Sequence, residues 1–411
     1  MRVAVISWTS RHVGGIEEYL SLVIPALQAA GLDVAFWHEI DEPIDRAAIE
    51  VPVSVPRFCA ADLGRHRAIE ALRGWAPDVI YSQGLVDSDV EGELLQMAPA
   101  VCFLHTYRGT CISGGKTWTR PNVIPCDRRF GPACLAHYLP HGCGGRSPVT
   151  MARQYWRQLG QLNVMRRYAA IIAPTSHMQR EMTRHGLQAE VIPYPVGTHA
   201  AEDIQPRDGA WRLLYAGRME APKGGGVLLE ALPLVVKALG RPVTMTFAGE
   251  GRQRARWETQ LREIQSGLPN LTCEFTGWLA QDQIRTLMKN VDLLVVPSVW
   301  PEPFGLVGPE AAQHGVPSAA FAVGGISEWL VDGVSGHLAA GDRPTAAGLA
   351  RAIVHCLEDP LHYAALRKGA RAMAAQFTME RHLPRLIDTL ERVAGCGKSS
   401  ESARAVFSNA R

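Results

Sequence analysis

The sequence predicts an α/β protein built from two doubly wound domains. Three observations predict it. Short apolar runs of strand length alternate with amphipathic helical stretches, which is how a parallel sheet covered on both faces reads. The alternation breaks once, around Tyr194 to Arg212, where PYPVGTHAAEDIQPRDG is polar, contains Pro and Gly, and has no period, as a linker would. The chain's 411 residues are also enough for two domains with sizeable cores.

In the first half, strands are expected at Val3 to Ser7, Leu32 to Trp37, Val79 to Ser82, Ala100 to His105 and Ile171 to Pro174, with an edge segment around Pro52 and Pro56. The helices between them are Ile16 to Ala29, ended by Gly31, then Leu63 to Arg73, Val90 to Met97 and His177 to His185. In the second half, strands are expected at Arg212 to Ala216, Val243 to Ala248, Leu271 to Phe275, Asp292 to Pro297 and Pro317 to Ala322. Helices fill the gaps at Gly225 to Leu239, Arg252 to Ile264 and Gln281 to Lys289, and three more follow at Thr345 to Leu357, Leu361 to Phe377 and Met379 to Val393. The tail from Gly395 to Arg411 is polar and patternless and is expected to be disordered. The domains are therefore 1–196 and 197–376, with a last helix at 377–394 and a tail at 395–411.

Composition narrows the function. Apolar residues make up 47% and charged residues 20%, ordinary values for a soluble globular enzyme. A formal charge of +2 gives no global sign of a nucleic-acid partner. No run of about 18 apolar residues suggests a spanning helix, and the opening VAVIS is too short for a signal peptide. The expected compartment is the reducing cytoplasm, so the nine cysteines do not imply a disulfide framework.

Ligands of such sheets bind at the carboxyl ends of the strands. Gly14-Gly15 lies at such an end, although no G-x-G-x-x-G is present. His105 ends a strand in FLHTY. After the first strand of the second domain, Arg218 and Lys223 occupy the loop above a helix start near Gly224, where two cations and a helix N-terminus make a diphosphate clamp without a metal. The organising stretch is Val295 to Leu330, VVPSVWPEPFGLVGPEAAQHGVPSAAFAVGGISEWL. Glu302 falls in the loop after a strand, and Glu310 about one turn into the helix that Gly305 opens. Carboxylates on either side of a helix N-terminus suit hydroxyl groups near a phosphate. Asp87-Ser88-Asp89 matches D-x-D, but it precedes a helix and reads as N-cap and first turn.

E-P-F-G-x(4)-E at Glu302 to Glu310 resembles the signature of the family-4 glycosyltransferases, and so do Gly315 to Pro317, Gly324 to Glu328 and Asp332 to Gly336. Pro309 departs from the pattern, and a helix's first turn tolerates it. The resemblance implies the GT-B fold, two Rossmann-like domains whose last helix crosses back onto the first. It implies a retaining transfer of a hexosyl group from a nucleotide diphosphate sugar to an acceptor hydroxyl, with no cofactor needed for catalysis. It places Gly14 and Gly15 against the donor diphosphate and His105 at the transferred sugar. Arg218 and Lys223 go to the phosphates, Glu302 to the sugar hydroxyls, Glu310 to the ribose, and Phe304, Gly305 and Leu306 to the donor. Gly249, Glu250 and Trp278 fall near the nucleotide. Two rival readings are a sugar-nucleotide epimerase on the same fold and a non-catalytic sugar-nucleotide-binding subunit. The first lacks an evident acid/base set, and the intact Arg218, Lys223, Glu302 and Glu310 argue against the second.

An insert at about 108–150 is foreign to that pattern. It holds Cys111, Cys126, Cys134 and Cys143 without close C-x-x-C pairs, so a structural zinc, free thiols and paired disulfides all remain open. The insert and the following helix carry Lys116, Arg120, Arg128, Arg129, Arg146, Arg153, Arg157, Arg166 and Arg167, interleaved with Trp118, Tyr155 and Trp156, and Asp127 is the lone acid among them. Such a face suits either peripheral contact with the inner face of a membrane or solvent and an acceptor. Donor base, sugar and acceptor are not legible.

Overall fold

The structure, a computed structural model, describes residues 1–197 and 209–395. The middle of the expected linker and the tail from 396 lie outside the described residues. The first domain has strands β1 (Arg2–Thr9), β2 (Asp33–Ile40), β3 (Arg57–Cys59), β4 (Val79–Ser82) and β5 (Ala100–Phe103). A small hairpin, β6 (Thr117–Trp118) and β7 (Ile124–Pro125), comes next, followed by β8 (Ala170–Ala173) and β9 (Glu190–Val191). Its helices are α1 (Gly15–Ala29), α2 (Ala60–Leu63), α3 (Arg65–Trp75), α4 (Ser88–Leu94), α5 (Ala133–His141), α6 (Pro148–Met165) and α7 (Ser176–Arg184). The sheet order is β3-β2-β1-β4-β5-β8-β9, parallel throughout.

The second domain repeats the plan. Strands β10 (Trp211–Ala216), β11 (Val243–Ala248), β12 (Leu271–Gly277), β13 (Leu293–Val296), β14 (Ser318–Phe321) and β15 (Gly336–Ala339) form a parallel sheet in the order β12-β11-β10-β13-β14-β15. Helices α8 (Gly225–Leu239), α9 (Arg254–Gln265), α10 (Gln281–Met288), α11 (Val307–Gln313), α12 (Ala346–Leu357) and α13 (Pro360–Ala374) cover it. In both sheets the order reverses beside the first strand, which opens a crevice at the carboxyl ends of β1 and β10.

Helix α14 (Met379–Val393) returns to the first domain. It buries Leu383, Leu386, Ile387 and Leu390, and His382 Nδ1 donates to the Pro193 carbonyl at 2.7 Å. That tautomer leaves Nε2 to accept from the Tyr19 hydroxyl at 2.9 Å.

The structure departs from expectation in several places, the unforeseen edge strand β9 among them. The helix expected from Leu63 to Arg73 is α3, which starts at Arg65 because Gly64, at φ +83°, separates it from the short α2 before it. The D-G-x-x-G stretch carries an unforeseen sixth strand, β15, too short for an alternating pattern to show. The insert is folded: it holds β6, β7 and α5, and α5 buries Tyr138, whose hydroxyl donates to Gln154 of α6 at 2.8 Å. The D-x-D reading holds: the Asp87 carboxylate accepts from the amides of Asp89 and Val90 as an N-cap.

Candidate active site

A cavity of about 350 Å³ lies between the two domains, at the carboxyl ends of β1, β5, β10 and β13. It gathers Gly14, Gly15 and His105 from the first domain with Arg218, Lys223, Glu302, Phe304, Gly305 and Leu306 from the second.

Glu302 is the best-held group. It is 6% exposed, and its Oε1 accepts from Lys223 Nζ at 2.6 Å and Ser298 Oγ at 2.8 Å. Lys223 Nζ also stands 4.5 Å from the Trp300 ring centre, a cation–π contact. The first domain fixes the loop on both sides: Tyr107 donates to the Pro301 carbonyl at 2.7 Å and Thr175 to the Pro303 carbonyl at 2.8 Å. Behind it, Gly324 has φ +59° and lies so close that a Cβ there would meet the Glu302 carbonyl oxygen at 2.3 Å. Arg218 is exposed on the cavity wall. The arrangement has a clear electrostatic logic. Lys223 is neutralised by Glu302 until an anion competes for it, and Arg218 supplies a second cation to that anion.

His105 is buried, and both ring nitrogens are engaged. Nε2 contacts Gln83 Oε1 at 2.7 Å and so donates, which leaves Nδ1 to accept from the Tyr194 hydroxyl. Burial holds its pKa down at about 3. A neutral imidazole with no free lone pair is not a general base. Its contribution to the cavity is steric and through its backbone.

A further site residue is Glu17, the first glutamate of GGIEEY. It lines the same cavity, is 1% exposed, and accepts from the Gly14 amide at 2.8 Å and Trp8 Nε1 at 3.1 Å. Burial pushes its carboxyl up to about 7. The Gly14 amide expected to meet a phosphate is therefore already bonded to Glu17, and Gly15 remains as the glycine at the cavity wall.

Four expected residues stand outside this cavity. Glu310 lines a neighbouring one of about 60 Å³, and burial, with Glu18 nearby, pushes its carboxyl up to about 7. Gly249 and Glu250 form a turn tucked under the Arg218 loop: a Cβ on Gly249 would meet the Gly217 carbonyl oxygen at 2.0 Å, and Glu250 pairs with Arg254. Trp278 is 42% exposed and carries Arg46 of the first domain 4.1 Å over its ring, bridging the mouth of the cleft. Tyr107, Thr175 and Ser298, which hold the Glu302 loop, carry no local sequence signal.

Cys111, Cys126, Cys134 and Cys143 are free thiols, and burial pushes Cys143 up to about 12, with the other three adding to the shift. Among the described residues no group of three or more His, Cys, Asp or Glu side chains is arranged to hold a metal ion. The insert is pinned by the buried Lys116–Glu181 pair at 2.7 Å and by Trp118 stacked on His141 at 3.9 Å.

Two lobes thus meet at a cavity walled by two cations, Arg218 and Lys223, and a buried carboxylate, Glu302. Residues 13–199 match the Glycosyltransferase Family 4 description and residues 210–359 the Glycosyl transferases group 1 description. The chain is 35% identical over 418 aligned positions to a glycogen synthase of Mycobacterium tuberculosis, covering 92% of this chain and 91% of that one. It is 33% identical over 291 positions to a 2-deoxystreptamine glucosyltransferase of Streptomyces kanamyceticus, covering 66% and 70%. The chain belongs to the family-4 glycosyltransferases, and it is a nucleotide-sugar glycosyltransferase of GT-B fold. Among solved structures, sucrose-phosphate synthase from Thermosynechococcus elongatus superposes with TM-score 0.72 at 19% identity, covering 96% of this chain and all of that one. HepE of Anabaena, in complex with UDP and glucose, superposes with TM-score 0.66 at 21% identity, covering 95% and 100%.

Proposed function

We propose that the protein transfers a hexosyl group from a nucleoside diphosphate sugar to an acceptor hydroxyl with retention of anomeric configuration, in glycan, glycolipid or glycoside synthesis. The observation that carries this reading is the Lys223–Glu302 pair at the lobe junction, with Arg218 on the same wall. An incoming diphosphate draws Lys223 away and meets Arg218, so the negative charge that grows as the sugar leaves falls on two preplaced cations. Glu302, released from Lys223, accepts hydroxyls of the sugar, and Glu310 those of the ribose.

No free general base faces the cavity from His105, whose two nitrogens are bonded. Glu17, another titratable group there, has its two oxygens taken by Trp8 Nε1 and the Gly14 amide, so in this reading the leaving phosphate oxygen takes the acceptor proton on the face it departs from, which favours retention. The 2-deoxystreptamine glucosyltransferase among the relatives and the UDP-glucose complex among the fold neighbours make UDP-glucose the first donor to try.

The basic face belongs to this reading. No Asp or Glu occurs from Arg128 to Arg180, and on α6 the exposed Val149 and Trp156 sit among exposed Arg146, Arg153 and Arg157. Such a face rests on an anionic bilayer, with the enzyme working from the cytoplasmic side on a lipid-linked acceptor. No helix among the described residues is long and apolar enough to cross a membrane. Incubation with a panel of UDP-, GDP-, ADP- and dTDP-sugars, followed by thermal shift and by NMR of any glycosidic product, tests the reading. An α-linked product from an α-linked donor supports it, and inversion or a free epimer overturns it.

A further inference from the structure

We infer that Glu18 is a second carboxylate for the donor's ribose, supplied by the opposite lobe, and that it couples nucleotide binding to closure of the cleft. The inference rests on the reading that Glu310 takes ribose hydroxyls. The small cavity that holds Glu310 is walled by both domains: Glu310, Gln281 and Arg285 come from the second, and Glu18 comes from α1 of the first. Leu306 lines this cavity and the larger one, and it packs on Gly15, where a Cβ would meet its Cδ1 at 2.8 Å. One side chain thus separates the two spaces.

The same two segments wall both cavities. Helix α1 presents Glu17 to the diphosphate cavity and Glu18 to its neighbour, while the 302–310 segment presents Glu302 to the first and Glu310 to the second. A nucleotide whose diphosphate lies in the first cavity therefore carries its ribose towards the second.

The charges there are unbalanced. Glu18 and Glu310 bring two carboxylates from opposite lobes, and Arg285 is the cation near both, though it also pairs with Asp282. Gln281 Nε2 gives Glu310 a long contact of 3.4 Å. Burial raises both carboxyls, and Glu18 adds to the push on Glu310. Bringing the lobes together without a ligand thus sets like charges against each other. A vicinal diol reverses this: its two O–H groups donate, one to each carboxylate, and tie lobe to lobe. The recognised group is the 2′,3′-diol of a ribonucleoside diphosphate.

The test compares affinities of the tightest-binding of UDP, GDP and ADP with its 2′,3′-dideoxy analogue, on wild type, Glu18→Ala and Glu18→Gln. Wild type should prefer the ribonucleotide. Glu18→Ala should erase about tenfold of that preference, the loss falling on the ribonucleotide alone. Glu18→Gln, which keeps an acceptor oxygen and the side chain's shape, should restore part of it. In small-angle scattering, the ribonucleotide should compact wild type and fail to compact Glu18→Ala. Equal weakening of both nucleotides, or an unchanged preference, overturns the inference and leaves the donor site standing. A wild type that binds none of the three overturns the donor reading along with it.

Discussion

Replacing Glu302 with Ala separates two effects that the ligand-free site holds together. The carboxylate binds Lys223 at 2.6 Å, with side-chain exposures of 20% for the lysine and 8% for the glutamate. Removing it frees Lys223 for the diphosphate, so ground-state affinity for the donor should hold or improve. It also removes the acceptor for sugar hydroxyls, whose bonds strengthen as the ring gains positive charge. Losing one such preorganised contact costs about 3 kcal/mol of transition-state stabilisation, roughly a hundredfold in kcat. Lys223→Ala differs. It should cut turnover by about a hundredfold and raise the donor KM, and it strands Glu302 with Ser298. The full cost of breaking a buried pair, about 3–5 kcal/mol, must be discounted here because the lysine is partly exposed. Both variants should remain folded by circular dichroism. The assay is the initial rate of nucleoside diphosphate release over a range of donor concentrations. A Glu302→Ala enzyme with wild-type kcat and a tenfold higher KM would refute the reasoning, because Glu302 would then bind ground and transition states alike.

Other outcomes follow from the same geometry. Burial raises Glu17 from 4.5 to about 7, so the folded chain keeps a proton that the unfolded chain releases, and stability falls as pH climbs through that window. Glu17→Gln should therefore raise Tm at pH 8, by the equivalent of on the order of 3 kcal/mol, and leave it unchanged at pH 4; equal shifts at both would contradict this. Gly324→Ala puts a Cβ 2.3 Å from the Glu302 carbonyl at φ +59°, and should lower kcat about tenfold or more with a measurable drop in Tm. Trp156→Ser combined with Arg153→Glu should abolish co-sedimentation with anionic vesicles while leaving donor affinity as it was. Persistent sedimentation would dismiss α6 as the membrane face.

Much of the fold was legible because parallel strands buried on both faces make continuous apolar runs, as at Val3–Ile6 and Leu293–Val296. β15 was not, because four residues with His337 among them carry no such run. The phosphate loop and the EPFG segment were legible because chain-local glycines and charges mark them. Tyr107, Thr175 and the Gln83–His105–Tyr194 chain were not, because partners as far apart as 194 residues meet only in the folded protein.

The most direct measurement is a crystal structure of the protein with a nucleoside diphosphate sugar bound. It should show the diphosphate between Arg218 and Lys223, with the lysine turned off Glu302 and the sugar's hydroxyls on that carboxylate. A diphosphate found elsewhere, with the Lys223–Glu302 contact still closed, would contradict the account.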